Sequence, residues 1–271
     1  MKRLLILISI IACVSGCSTA TGKGLNALNE HRTLDAIPHL EQGLVEGDKV
    51  APMLLSLIYL SDLQVPADVE KAKHYYQQLT ELEGSIYDQY VDFYLDYIQA
   101  SILLKDEHLE NDTQGMALLR QSKYLNYSPA LMLLAKSYSA GKGVNKNYSL
   151  SHKLFKRSIE VSDNVQASLS YAWVLASHKD DAFSMGADPM DFVPNIEDVN
   201  ETYQFIYYDT LAAIQARKGN FEDAIKLQNL AIELIKQEVS EHASYQAWLD
   251  GYKTQLDAFY NKEPTPVPTI Y

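Results

Sequence analysis

The groups in this chain that could do chemistry are few: a pair of cysteines near the start, seven histidines and a run of tyrosines and aspartates at helical spacing. Cys13 and Cys17 are the only thiols, and a thiolate is a nucleophile that can be acylated. The histidines, His31, His39, His74, His108, His152, His178 and His242, include no pair at the HExxH spacing that sets two ligands on one helical face. No metal site, cofactor or catalytic set is expected. Gly141-Lys142-Gly143 has the look of a phosphate loop, but position 136 is Lys136 where that loop needs glycine, and no Ser or Thr follows the lysine. A glycine turn between helices is the better reading. There is no GxSxG elbow.

In IYDQYVDFYLDYIQA, Tyr87, Tyr90, Tyr94 and Tyr97 fall within about an 80° arc at 100° per residue, and Asp88, Asp92 and Asp96 line the other side. The tyrosine face either packs on the next helix or lines a groove, where amphipathic rings would grip a peptide. The aspartate stripe is either a solvated face or a docking strip for a basic partner. Like charges four apart oppose the helix slightly.

These groups must be placed by their elements, and the first element is not part of the fold. Met1-Lys2-Arg3 is basic, Leu4 to Val14 is apolar apart from Ser9, and Ser15-Gly16 is small. This is the plan of a secretory signal, and its apolar run is about half the ~20 residues needed to span a bilayer. Val14-Ser15-Gly16-Cys17 resembles the lipobox of bacterial lipoproteins. That resemblance implies cleavage after Gly16, lipidation of Cys17 and attachment to the bilayer through acyl chains. An ordinary signal cleaved nearby, with Cys17 a plain thiol, is the alternative. Ser18 in place of Asp implies, in a Gram-negative cell, the periplasmic face of the outer membrane.

Removing 16 of 271 residues leaves 255, enough for one large domain or an array of small units. Loss of Lys2 and Arg3 takes the formal charge from −12 to −14. Such a surface repels phosphate backbones, so nucleic acid is excluded as a partner and a basic protein is favoured. With Cys17 the only thiol left, no internal disulfide can form.

Along the chain, Ala, Leu, Lys, Glu and Gln recur at helical spacing and Gly and Pro are sparse, so the fold class is all-α. Asp68, Asp112 and Asn147 stand where three helices should open, each a good N-cap, with Ala72, Met116 and Ser151 four residues later on the packing face. Ala51, Leu55 and Tyr59 repeat as Ala130, Leu134 and Tyr138. A period of 20 to 50 residues marks stacked arrays.

YSAGKGVNKNYSLSHKLFKRS resembles the Sel-one-like repeat, a tetratricopeptide relative: Tyr138, Gly141, Gly143 and Val144 match, while Asn147 and Ser151 replace Asp and Ala. YLSDLQVPADVEKAKHYY keeps Tyr59, Val65, Asp68, Lys71 and Ala72 without the glycines. Residues Tyr208 to Ala231 resemble an ordinary tetratricopeptide repeat through Leu211, Ala212, Gly219, Asn220, Ala224 and Ala231, with Gln228 at a position where that repeat has an aromatic. AWVLASHKDDAFSMG resembles the unit upstream. The resemblances span roughly residues 36 to 260 and imply a right-handed α-solenoid of antiparallel helix pairs that binds protein segments.

The expected organisation is a signal peptide over 1–16, a lipidated tether over 17–24, a Sel-one-like array over 25–178, an irregular acidic insertion over 179–201, a tetratricopeptide unit with a capping helix over 202–260, and a proline-rich tail over 261–271. The leading expectation is a membrane-anchored, non-enzymatic scaffold of the bacterial envelope that binds a protein partner. An envelope enzyme or dedicated activator acting on wall or polysaccharide, and a structural spacer, are the other readings.

Overall fold

The computed structural model describes residues 19–61, 65–82, 88–106, 108–121, 124, 126–162, 165–241 and 245–265. Among these there are twelve α-helices, four short 3-10 helices and no strand. The chain divides into two compact units, Met1–Asp163 and Asn164–Tyr271. The dividing line thus falls ahead of the 178/179 boundary read from the repeats.

The first unit holds α1 (Ala20–Asn29), α2 (Thr33–Val45), α3 (Val50–Ser61), α4 (Val69–Glu81), α5 (Asp88–Lys105), α6 (Leu109–Leu119), α7 (Ser128–Ala140) and α8 (Tyr148–Ser162). They pack as neighbouring pairs, α1 with α2, α3 with α4, α5 with α6 and α7 with α8. One device recurs at all four crossings: a Gly or Ser on one helix faces an alanine carbonyl on the other. A Cβ on Gly24 would lie 3.3 Å from the Ala36 carbonyl, and one on Gly115 would lie 3.1 Å from that of Ala100. Ser56 Oγ donates to the Ala72 carbonyl at 3.3 Å, and Ser151 Oγ donates to the Ala135 carbonyl at 2.7 Å. Small side chains let the axes approach, and a buried hydroxyl that reaches across is satisfied where it lies.

The α3–α4 and α7–α8 hairpins are also in register residue for residue. Asp68 N–H donates to the Tyr59 carbonyl and Asn147 N–H to the Tyr138 carbonyl, both at 2.9 Å. Asp68 caps α4 by accepting from Lys71 N–H, and Asn147 accepts from Leu150 N–H, each at 3.0 Å.

Two expectations are corrected here. Asp112 is not a cap: α6 already starts at Leu109, after the Asp106 carboxylate takes the His108 N–H at 3.0 Å, and Asp112 is 2 % exposed inside the helix. The crossing residue is therefore Gly115, with Met116 packed in the core beside it. Nor is 17–24 wholly a tether, because α1 begins at Ala20, with Thr19 Oγ1 accepting from Gly22 N–H at 3.0 Å, and Gly24 is buried. Small residues that read as linker are there to admit the Leu40 side chain, 2.7 Å from where a Gly24 Cβ would be.

The second unit holds α9 (Val165–Ser177), α10 (Gln204–Arg217), α11 (Phe221–Glu241) and α12 (Gln246–Tyr260). Gly219, at φ +79°, turns α10 into α11, and Ala212, Ala216 and Ala224 are buried between them with Phe259 of α12. The stretch read as an irregular insertion is instead a chain of 3-10 turns at Asp181–Ser184, Pro189–Phe192, Ile196–Asp198 and Glu201–Tyr203. Its acids cap these turns: Asp180 accepts from Ala182 N–H and Asp188 from Met190 N–H. Phe183 and Val199 point inward, and Ser168 Oγ of α9 donates to the Phe192 carbonyl at 2.7 Å. Carboxylate-capped turns use acidic residues locally, which is why an acidic run need not be a loose loop.

Candidate functional site

Cys17 and Tyr87 lie outside the described residues. Asp88, Tyr90 and Asp92 belong to α5. Tyr94 and Tyr97 are 4 % and 7 % exposed and sit in the core of the first unit. Tyr97 meets Tyr127 edge to face at 4.9 Å, Tyr94 meets Tyr127 at 5.6 Å, and Phe93 meets both Tyr94 and Tyr124. Burial pushes the hydroxyls of Tyr94 and Tyr97 up to about 12. Of the two readings of the tyrosine face, packing describes these two rings. Asp96 is half-buried, and its charge adds to burial in raising the Tyr76 hydroxyl of α4.

Among the described residues no three His, Cys, Asp or Glu side chains converge to hold a metal ion, and no helix is long and apolar enough to cross a membrane. Two arrangements of the second unit stand out.

One is an open groove of about 380 Å³ lined by Ser184, Gly186, Ala187, Asp188, Pro189, Ile214, Arg217 and Lys218. The 3-10 turns form one wall and the end of α10 the other. Arg217 is held in place by the carbonyls of Ala176 and His178 and by Asp181 at 3.0 Å, while Lys218 reaches Asp188 at 3.5 Å. The Met190 N–H, with Lys218, keeps the Asp188 carboxyl below its ordinary range. Next to this wall, Met185 is 62 % exposed at φ +47° and Met190 is 40 % exposed. Flexible thioethers beside fixed charges suit contact with a polypeptide surface of mixed character.

The other is wholly enclosed. Asp209 of α10 is 6 % exposed, and three other helices supply donors to its carboxylate. Gln228 Nε2 of α11 and Gln255 Nε2 of α12 both donate to Oδ1 at 3.0 Å, and Trp173 Nε1 of α9 donates to Oδ2 at 3.1 Å. Gln255 Nε2 also donates to Gln228 Oε1 at 3.1 Å. No cation is paired with Asp209 among the described residues. Desolvation raises its carboxyl to about 7, against the three donors, which pull it down. Both oxygens are engaged and shielded, so the group binds the four helices to one another and is not presented to a ligand.

Gln228 marks this network in the sequence as the polar residue at a position where the resembled repeat has an aromatic. Asp209 itself was missed, although it lies three and seven residues ahead of Ala212 and Ala216 on the stripe that α10 buries. Trp173 and Gln255 carry no local signal of their role.

Compared with known proteins, the chain matches no family model, no curated protein and no solved structure.

Proposed function

We propose that the chain is an interaction scaffold: a right-handed α-solenoid of Sel-one-like and tetratricopeptide hairpins, tethered to a bacterial envelope membrane through lipidated Cys17, that holds a protein segment. The observation that carries this reading is the register match of α3–α4 with α7–α8, in which turn closure, cap and small-residue crossing coincide position by position. Stacked hairpins of this kind bury a continuous core and leave extended surface for a partner. In the second unit, the groove beside Met185 and Met190 is the surface this reading assigns to the partner, because it joins exposed apolar side chains to ordered charges.

The test is a photo-crosslinking residue at Met190, and in a control at exposed Glu222 of α11, in intact cells, followed by mass spectrometry of the captured species. Capture of one reproducible protein from position 190 and not from 222 is the expected result; no position-dependent capture would defeat the scaffold reading. Separately, Cys17→Ser is expected to leave an unlipidated precursor that no longer partitions into detergent. Unchanged partitioning would remove the anchor.

A further inference from the structure

Asp209 is an acidic group buried among four helices with neutral donors and, among the described residues, no counter-charge. We infer that Asp209 is a pH-sensitive pin: when its carboxyl is protonated, α9 and α12 are held tightly to the α10–α11 hairpin, and when it ionises they are held more loosely.

The inference stands first on placement. Each of the three hydrogen bonds joins Asp209 to a different helix, Trp173 in α9, Gln228 in α11 and Gln255 in α12, so hydrating the carboxylate requires at least one of these helices to move. Gln228 Nε2 lies 3.4 Å from the Tyr252 carbonyl, which ties α12 in again. Among the described residues no other charge faces the group. Between Val165 and Ser177, α9 has no Asp, Glu, Lys, Arg or His, and its Tyr171 packs on Phe192. On α10, Tyr207 and Tyr208 contact each other, and Arg217, at the far end, is committed to Asp181 and two carbonyls. The described charged residues of α11, Glu222, Asp223, Lys226, Glu233 and Lys236, are exposed, as are Asp250, Lys253 and Asp257 of α12.

The direction follows from linkage. Burial lifts the folded carboxyl to about 7, from an ordinary value of 3.8. A helix that opens frees Asp209 to water, where it loses its proton at the lower value. Between these two values the closed form binds more protons than the open one, so closure weakens as pH rises, and above about 7 the dependence levels off.

The experiment is hydrogen exchange by mass spectrometry on the full chain from pH 4.5 to 8.5, corrected for the intrinsic pH dependence of exchange. Protection of α9 and α12 is expected to fall by at least tenfold between pH 5 and 7 and then level, while α1 to α8 show no such step. Asp209→Asn, with no proton to exchange, should abolish the step. Gln255→Met removes one donor to the ionised form and should move the levelling point to higher pH. A merely structural role for Gln255 would lower protection without moving that point. Flat protection in the unaltered chain, a step that survives in Asp209→Asn, or an unmoved levelling point in Gln255→Met would each overturn the inference. If Asp209→Asn fails to fold, the unaltered chain and Gln255→Met still decide.

Discussion

The close crossing of the helix pairs gives a prediction whose sign differs between two chemically identical substitutions. Gly115 in α6 and Gly251 in α12 are both glycines inside helices, where alanine would ordinarily be worth about 0.5–1 kcal/mol through lost backbone freedom in the unfolded chain. Gly251 is exposed, and nothing lies within 4 Å of where its Cβ would go, so Gly251→Ala should keep the whole gain. At Gly115 the new methyl would lie 2.8 Å from Leu104 Cγ, 3.1 Å from the Ala100 carbonyl and 3.3 Å from Leu103 Cβ. A leucine can turn at its tip, but a branch carbon and a helix carbonyl recede only if α5 shifts. Overpacking of that kind costs about 1–3 kcal/mol, so Gly115→Ala should be a net loss of about 1–2 kcal/mol. Thermal unfolding separates the two units because Trp173 and Trp248, the chain's two tryptophans, both lie in the second. Tryptophan fluorescence should show Gly251→Ala raising the midpoint by about 4 °C. Far-UV circular dichroism should show Gly115→Ala lowering the transition of the first unit with the fluorescence midpoint unmoved. A Gly115→Ala chain as stable as Gly251→Ala would show that the α5–α6 crossing is not close, and the small-residue account of all four hairpins would fall with it.

Gly143 and Gly186 make a second contrast, at φ +65° and +81°. An alanine at either bears the left-handed backbone cost of about 1–2 kcal/mol, but only at Gly143 does the Cβ also run into the Asp112 backbone. Urea midpoints should therefore drop clearly further for Gly143→Ala than for Gly186→Ala. Asp68→Ala and Asn147→Ala should each cost about 1 kcal/mol as lost N-caps, read as a lowered denaturation midpoint with an unchanged slope. Equal midpoints for these variants and the unaltered chain would refute the cap assignments.

The helical class and the hairpin pairing were legible because they depend on periodic, local features. Ala51, Leu55 and Tyr59 return as Ala130, Leu134 and Tyr138, and the structure closes both hairpins through the same backbone bond. In the α5–α6 hairpin the expected cap, Asp112, lies four residues past the observed cap position, His108, and the expected crossing residue, Met116, lies one past Gly115, because Asp112 has the chemistry of a cap. What moved the helix start was Asp106, whose side chain accepts at His108. Asp112 lies buried within the first turn of α6 and not ahead of it, so a cap preference read from residue type alone places the helix start too late. The acidic stretch over 179–201 was misjudged for a related reason: Asp180 and Asp188 bond to amides two residues on, so their charge stabilises turns that composition alone registers as polar loop.

Asp209 shows what periodicity misses. In YYDTLAAI an aspartate falls on the helical stripe that Ala212 and Ala216 bury, a local conflict between polarity and pattern of the sort that natural sequences retain only when other residues compensate. Here the compensation is spread over 36 residues toward the amino terminus, to Trp173, and 46 toward the carboxyl terminus, to Gln255. Each of those two looks unremarkable in its own helix. Gln228 alone hints at the network in the sequence, as an amide where the resembled repeat has an aromatic. Replacing the aspartate and both glutamines by apolar residues of similar volume would be a better route to a stable bundle, since a buried ion is costly even when it is fully hydrogen-bonded. A carboxylate kept where Leu or Met would pack well is understandable if its protonation is itself useful, and the pH dependence of α9 and α12 is where that use would be visible.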